Sequence, residues 1–320
     1  MKIELEILLA CVVGYKVLVP LILGIYKYFL RPGKKLLKYG EWAVITGATD
    51  GIGKAMAFEL AKQGLKILLI SRTESKLIQV KEEIEAKVKD VQVRYVSLDF
   101  AGGLDKHKIS TLAQAIKDLD IGILINNVGM SYPFTKYYHE LNMNECSDLV
   151  ALNLESTMIL TKLVLGDSSC GMIARKRGAI INTSSAAGTQ ISPLLAGYSG
   201  AKGGIVMFSK SLAAELKPKF GIDVQVQTPL FVTTKLAKIK RSSITVPTPS
   251  TYAKAASRAI GYDVAISPYW SHALQLWLMD ALPTTLAIAI VSNMHHAIRK
   301  KGLKKEAAKG NASEDNKKAQ

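Results

Sequence analysis

Short apolar strands alternating with amphipathic helical stretches predict an α/β fold: one domain on a doubly wound parallel sheet, with an apolar N-terminal segment before it and a second apolar stretch after it. Three observations carry this. Runs near residues 42–46, 66–71, 91–98, 121–126, 178–184 and 222–228 are short and rich in Val, Ile and Leu, as strands buried on both faces are. Between them, apolar side chains recur at helical spacing. The first strand also runs straight into a glycine-rich turn that opens a helix. A length of 320 residues allows one large domain or two small ones, and one sheet accounts for all six strands. No internal repeat suggests a solenoid.

The first element is Ala43, Val44 and Ile45 followed by Gly47, Gly51 and Gly53, with Met56, Ala57, Leu60 and Ala61 marking the buried face of the next helix. Glycines there let the backbone approach a phosphate, and the free N–H groups and dipole of the helix start hold a pyrophosphate. That makes the fold Rossmann-like, although the spacing is Gly-x-x-x-Gly-x-Gly and not the usual Gly-x-Gly-x-x-Gly. The second strand ends in Ser71 and Arg72, where an acidic residue would bind a ribose 2′-hydroxyl. A guanidinium instead suits a 2′-phosphate, so Arg72 points to NADP(H), with Lys54 as a second cation. The third strand ends in Asp99. The fourth runs into Asn126, Asn127, Val128 and Gly129, and strand carboxyl ends are where open parallel sheets bind ligands.

Beyond the fifth strand come Ser185, Tyr198 and Lys202. Tyr198 and Lys202 are four apart and share a helix face. A free phenol titrates near 10, too high for ready proton exchange at neutral pH, and a nearby ammonium favours phenolate and pulls that value down. On TGxxxGxG, Asn-Asn-x-Gly, an Asn on the following long helix and Ser with Tyr-x-x-x-Lys, residues 40–265 resemble the short-chain dehydrogenase/reductase family. The resemblance implies Asn153, Ser185, Tyr198 and Lys202 as the catalytic tetrad. Ser185 is taken over Ser184 because it lies thirteen residues before Tyr198, as in the family. It further implies a cofactor site of Gly47, Thr49, Asp50, Gly51, Ile52, Gly53, Arg72, Asp99, Asn126, Gly129, Tyr198, Lys202, Val232 and Thr234, with Asp99 at the adenine and a water held by Asn153. Two departures stand out: Val128 replaces the usual Ala, and Leu230 follows Pro229 where many members have Gly. The segment from Thr228 to Ser250 reads as a lid over the substrate.

The flanks are unusual for a soluble reductase. Residues 5–30 are overwhelmingly apolar and, at about 1.5 Å per residue, long enough to cross a bilayer. Lys16 and Pro20 interrupt the run, and a central Lys costs about 3 kcal/mol, which favours a tilted or re-entrant placement. No cleavage site follows, so the segment reads as a retained anchor. Residues 270–298 form a second apolar stretch with Trp270, Trp277 and Pro283, suited to a bent helix at a membrane interface or at a lipid entrance. For the first segment the alternative is a helix packed on the domain or on a second copy of the chain, and for the second an ordinary dimer-forming helix. The expected division is 1–38 anchor and basic flank, 39–265 cofactor-binding domain, 266–298 apolar helix, and 299–320 basic tail.

The net charge of +16 argues for lipid and not nucleic acid because of its placement. Lys27, Arg31, Lys34, Lys35 and Lys38 follow the first apolar segment, and residues 299–320 hold eight basic against three acidic side chains, so ten of sixteen charges flank membrane-like stretches. Lys317 and Lys318 resemble the dilysine signal of the endoplasmic reticulum, read on a cytosolic tail. Residues 302–316 read as a solvated tail. Cys11, Cys146 and Cys170 are too few and scattered for a disulfide framework. The five histidines lack metal-ligand spacing, so no metal is expected, and His295 with His296 reads as interfacial or solvated. Asn182-Thr-Ser is a glycosylation sequon on paper, placed in a buried strand.

Within the family the chain looks like the microsomal 3-ketoacyl-CoA reductase and 17β-hydroxysteroid dehydrogenase branch. That resemblance implies NADPH-dependent reduction of a very long 3-oxoacyl-CoA at the endoplasmic reticulum membrane, with elongase partners and a homodimer. A steroid or retinoid ketone is the second substrate class, and a non-catalytic NADP(H)-binding scaffold is the reading from another functional class. Tyr198 would protonate the developing alkoxide, Ser185 would hold the carbonyl oxygen, and Lys202 would tune Tyr198 and bind ribose hydroxyls.

Overall fold

A computed structural model describes residues 14–166 and 171–318, with residues 6, 11 and 12 before them; beyond residue 308 it describes the backbone alone. Seven strands, β1 Trp42–Thr46, β2 Lys66–Ser71, β3 Val93–Ser97, β4 Ile121–Asn126, β5 Ala179–Thr183, β6 Asp223–Gln227 and β7 Ala265–Ile266, form one sheet. Their order is β3-β2-β1-β4-β5-β6-β7, and every pairing is parallel. The six expected strands are all present. The two-residue β7 is too short to show any hydrophobic period, so no local pattern marks it.

Alternation along each strand splits the core into two layers. Ala43, Ile45, Ile67, Leu69, Ile123, Ile125 and Ile181 face α1 (Gly51–Lys62), α2 (Glu74–Lys87) and α7 (Pro249–Ala259). Val44, Leu68, Ile70, Leu124, Ile180 and Val224 face the other way, onto α3 (Lys106–Ile116), α5 (Ser156–Leu165) and α6 (Ala196–Phe220). Because both faces are buried, a one-residue slip of register still presents apolar groups, so the polar strand ends must fix it. Thr46 does this at the switch point: its buried Oγ1 accepts the N–H groups of Asn127 (2.9 Å) and Val128 (3.0 Å), tying the ends of β1 and β4 together.

A proline inside a helix ordinarily breaks it, yet α6 contains Pro218, runs on to Phe220 and ends at Gly221 in the left-handed conformation (φ 67°). A proline this close to the end removes one ladder bond while the last turn still closes, since the Gly221 N–H reaches the Lys217 carbonyl.

Four features of the flanks bear on what their sequence implied. The described part of the first apolar segment is divided into a π-turn Gly14–Leu18, an α-helix Val19–Ile25 and a π-turn Tyr26–Leu30, and residues 1–5, 7–10 and 13 lie outside the described residues. Among the described residues no helix is long and apolar enough to cross a membrane. Second, the basic flank is largely engaged by the domain instead of facing outward. Lys27 and Arg31 pair with Asp263 at 2.9 and 2.8 Å, and Lys34 donates to the Gly261 carbonyl. Burial pushes the Asp263 carboxyl up, but the hydrogen bonds and charges of Lys27 and Arg31 outweigh it and leave the group below its usual range. Third, the second apolar stretch is bent at Pro283 as expected, giving α8 (Trp270–Ala281) and α9 (Thr284–Lys318), and α9 continues as a helix into the tail, where residues 303–308 are exposed. Fourth, His295 is buried and its Nδ1 meets the Pro193 carbonyl at 2.6 Å, so it locks α9 onto the domain. Thr135 Oγ1 donates to the His295 carbonyl at 2.7 Å, and Arg299 grips Glu140 through both guanidinium nitrogens at 2.6 and 2.5 Å. The helix thus roofs the loops that follow β4 and β5.

Candidate active site

The glycine turn is shaped by close packing. Gly47 has φ 63°, where a side chain is strained, and a Cβ on Gly53 would stand 2.4 Å from the Gly47 carbonyl oxygen. Asp50 caps α1, its carboxylate accepting the Gly51 N–H at 2.7 Å, and Thr49 Oγ1 meets Ser71 Oγ at 3.0 Å. Ile52 packs on the core behind them. The first-turn N–H groups and dipole of α1 therefore face the crevice beyond the strand ends, a setting that fits a dinucleotide pyrophosphate. Arg72 stands exposed at the end of β2, and Asp99 lies exposed after β3 with its carboxylate accepting the Ala101 N–H at 3.0 Å. Lys54 is not free to assist Arg72: its ammonium pairs with Glu83 at 2.7 Å. Val232 is buried, and Thr234 lies against Gly51, so the segment after β6 reaches back to the glycine turn.

Asn126 departs from its expected place at the cofactor. It is buried, and its amide donates to Thr161 Oγ1 (3.0 Å) and Asn182 Oδ1 (2.9 Å), while Asn182 donates to Ser209 Oγ (2.9 Å). A buried amide satisfied in this way ties β4, β5, α5 and α6 together and leaves only its main chain at the strand end.

The remaining candidates converge. The Ser185 hydroxyl lies close enough to the Tyr198 phenol to oppose part of the effect of its burial. Ser184 is excluded from that part, since its buried hydroxyl donates to the Lys202 carbonyl at 2.8 Å. Lys202 is buried, its ammonium 3.0 Å from the Thr183 carbonyl and 5.9 Å from the Tyr198 ring centroid. Gly129 is the hinge of the cluster: a Cβ there would lie 2.6 Å from Asn153 Oδ1 and 3.2 Å from Lys202 Nζ.

Asn153 sits in a π-turn, Ala151–Glu155, between α4 (Met143–Val150) and α5. Such a turn frees carbonyls from the i−4 ladder, and side chains take them up. Asn153 Nδ2 donates to the Leu149 (2.9 Å) and Met130 (3.0 Å) carbonyls, its Oδ1 accepts the Met130 N–H (3.3 Å), and Ser156 and Thr157 bond the Leu152 and Asn153 carbonyls. The amide thereby fixes the loop after β4 against the long helix.

The electrostatics run against one expectation. Burial pushes the Tyr198 phenol above its ordinary value, opposed by the Ser185 hydroxyl, so Lys202 does not lower it here. The reason is geometric: the ammonium is turned to Thr183, and burial lowers its own pKa to about 8. Burial thus holds the phenol protonated, ready to give a proton.

Two residues escaped sequence reasoning. Tyr132 is buried, and its hydroxyl accepts main-chain N–H groups at the start of α6, a contact across 66 residues that no local pattern reveals. His272, fully buried on α8, accepts the Leu230 N–H at Nδ1 (3.2 Å) and meets the Phe231 carbonyl at Nε2 (3.1 Å). Leu230 in place of glycine was the hint that something else must hold this turn.

Comparison with known proteins agrees with this geometry. The short chain dehydrogenase family matches residues 41–244. The chain is 39% identical over 289 residues to a very-long-chain 3-oxoacyl-CoA reductase-like protein of Arabidopsis thaliana, covering 86% of this chain and 89% of the relative. It is 42% identical over 268 residues to the very-long-chain 3-oxoacyl-CoA reductase of Homo sapiens, covering 83% of each. Among solved structures, an actinorhodin polyketide ketoreductase variant with NADPH matches with a TM-score of 0.60 at 29% identity, over 70% of this chain and 91% of that one. The parallel sheet, the glycine turn and these matches together make the chain a member of the short-chain dehydrogenase family.

Proposed function

We propose that the chain is an oxidoreductase that reduces long-chain 3-oxoacyl-CoA to 3-hydroxyacyl-CoA with NADPH, as a step of microsomal fatty-acid elongation. The observation that carries this reading is the convergence of Ser185, Tyr198, buried Lys202 and Asn153 at the strand ends next to the glycine turn, with the Lys202 ammonium 5.9 Å from the Tyr198 ring centroid. The names borne by the Arabidopsis and human relatives support the substrate. NADPH, when bound, supplies a hydride to the carbonyl carbon. Tyr198, kept neutral by burial, gives the carbonyl oxygen its proton, and Ser185 hydrogen-bonds the same oxygen. Lys202 holds positive charge near the phenol and would bind the ribose hydroxyls, while Asn153 positions the loop that carries Gly129.

The residues fit the cofactor. Gly47, Thr49, Asp50, Gly51, Ile52 and Gly53 would frame the pyrophosphate, Arg72 the 2′-phosphate, Asp99 the adenine, and Gly129, Val232 and Thr234 the nicotinamide end. Exposed Leu274, Leu278, Leu286 and Ile290 on the last two helices, with Leu21, Ile22 and Leu23 at the other terminus, support seating on a lipid surface. We assign that surface to the endoplasmic reticulum, with the domain of residues 39–265 in the cytosol and elongase proteins as partners.

The test is NADPH oxidation by the purified protein with a long 3-oxoacyl-CoA and with a 17-ketosteroid. Preference for the thioester, and loss of turnover in Tyr198→Phe with NADPH binding kept, is the expected result. Turnover of the steroid alone, or an active Tyr198→Phe enzyme, defeats the proposal.

A further inference from the structure

The irregular segment between β6 and α7 places Lys235, Lys238, Lys240 and Arg241 within seven residues, all exposed. Three contacts fix its course. Thr234 lies against Gly51, with Cγ2 at 3.0 Å from where a Cβ would stand; Lys235 pairs with Asp50 at 3.1 Å; and the Lys238 ammonium donates to the Pro133 carbonyl. Pro133 follows Tyr132, whose hydroxyl caps the helix bearing Tyr198. The cationic run therefore spans from the cofactor turn to the loop beside the phenol, across the mouth of the site. Lys238 also has φ 55°, a left-handed conformation that costs about 1 kcal/mol at a residue with a Cβ and persists where surrounding contacts hold it.

Four cations this close repel one another, and Asp50 offsets one charge. A polyanion at the mouth would offset the rest through charge-assisted hydrogen bonds. The phosphates of NADP(H) are not that polyanion, because the glycine turn and Arg72 take them at the strand ends. We propose that Lys240 and Arg241, supported by Lys235 and Lys238, bind the phosphates of the substrate's coenzyme A. The segment after β6 is then a head-group site that selects nucleotide thioesters over phosphate-free ketones. This inference rests on the acyl-CoA reading of the catalytic cluster.

The experiment uses the full chain and a Lys240→Ala/Arg241→Ala variant, whose two side chains are exposed. Steady-state kinetics compare a long 3-oxoacyl-CoA with the matching N-acetylcysteamine thioester, which has the same acyl group and no phosphate. The expected result is a KM for the CoA thioester raised about tenfold, equivalent to about 1.4 kcal/mol, with KM for the truncated thioester and for NADPH within about twofold. Added salt should raise the wild-type KM for the CoA thioester and move the variant less. Equal shifts for both thioesters, no shift for either, or a raised KM for NADPH would overturn the proposal. So would an unchanged KM accompanied by lost binding to phosphatidylserine vesicles, which would assign these cations to lipid headgroups. Calorimetry with adenosine 3′,5′-bisphosphate provides the independent arm. Binding that the variant weakens about tenfold upholds the head-group site even if neither thioester is turned over, an outcome that would sink the reductase reading alone. No difference in that binding sinks the head-group site.

Discussion

The Tyr132 hydroxyl accepts the main-chain N–H groups of Gly197, at 2.9 Å, and Tyr198, at 3.3 Å. Both are first-turn donors of α6 with no partner inside the helix, so a phenol from the loop after β4 does the work of a side-chain cap. It also sets where Tyr198 begins its approach to Ser185.

Tyr132→Phe removes that acceptor and leaves buried donors unmet, a loss of about 1–3 kcal/mol. Thermal unfolding should fall accordingly, and kcat should drop about tenfold with KM for NADPH unchanged, since the glycine turn is remote. A variant with wild-type kcat would show that Tyr132 only supports the loop.

Lys202 titrates near 8 in the folded protein and near 10.5 in the unfolded chain. Between those values the unfolded chain binds more protons, so this group's contribution to stability rises with pH; below about 8 the full penalty of burying the charge, about 3 kcal/mol, is carried. Lys202→Met removes the titration. Measured by urea unfolding, the variant's stability relative to wild type should therefore fall by about 3 kcal/mol from pH 7 to above 10.5, while activity is lost throughout. A difference independent of pH would place the ammonium in contact with water.

Most of this architecture can be read from residues in order along the chain. Strand runs such as Ile67 to Ile70 and the glycine turn announce themselves because each is a local pattern, and Ser185, Tyr198 and Lys202 lie within eighteen residues of one another. What escaped depends on contacts between distant segments. Asn126 looks like a cofactor ligand by position, yet Thr161 and Asn182 claim its amide. Lys27 and Arg31 look like lipid-facing charges until Asp263, over 230 residues away, is seen to hold them. His295 looks interfacial or solvated near the end of the apolar stretch, and only the fold supplies Pro193.

Arg72 stands exposed where β2 ends, and the proposed function assigns it to the 2′-phosphate. Arg72→Glu should weaken NADPH binding by at least tenfold, since a guanidinium–phosphate pair is replaced by repulsion, and should leave NADH binding equal or tighter. Fluorescence titration of both nucleotides reads the ratio. Equal losses for the two would mean that the side chain supports the loop and does not choose the cofactor.

His272 holds the turn at Leu230 and Phe231 from inside the protein, and burial lowers its pKa to about 4. The imidazole is therefore neutral across the physiological range, with Nδ1 free to accept the Leu230 N–H and Nε2 to donate to the Phe231 carbonyl. Val232 and Thr234 follow directly, so losing this clamp should be felt at the cofactor before it is felt in the chemistry. His272→Leu is expected to raise KM for NADPH about tenfold with a smaller fall in kcat, and His272→Asn, which keeps an acceptor near Nδ1, should recover part of the affinity. If both variants lose stability alike while KM for NADPH stays at the wild-type value, the histidine serves packing alone.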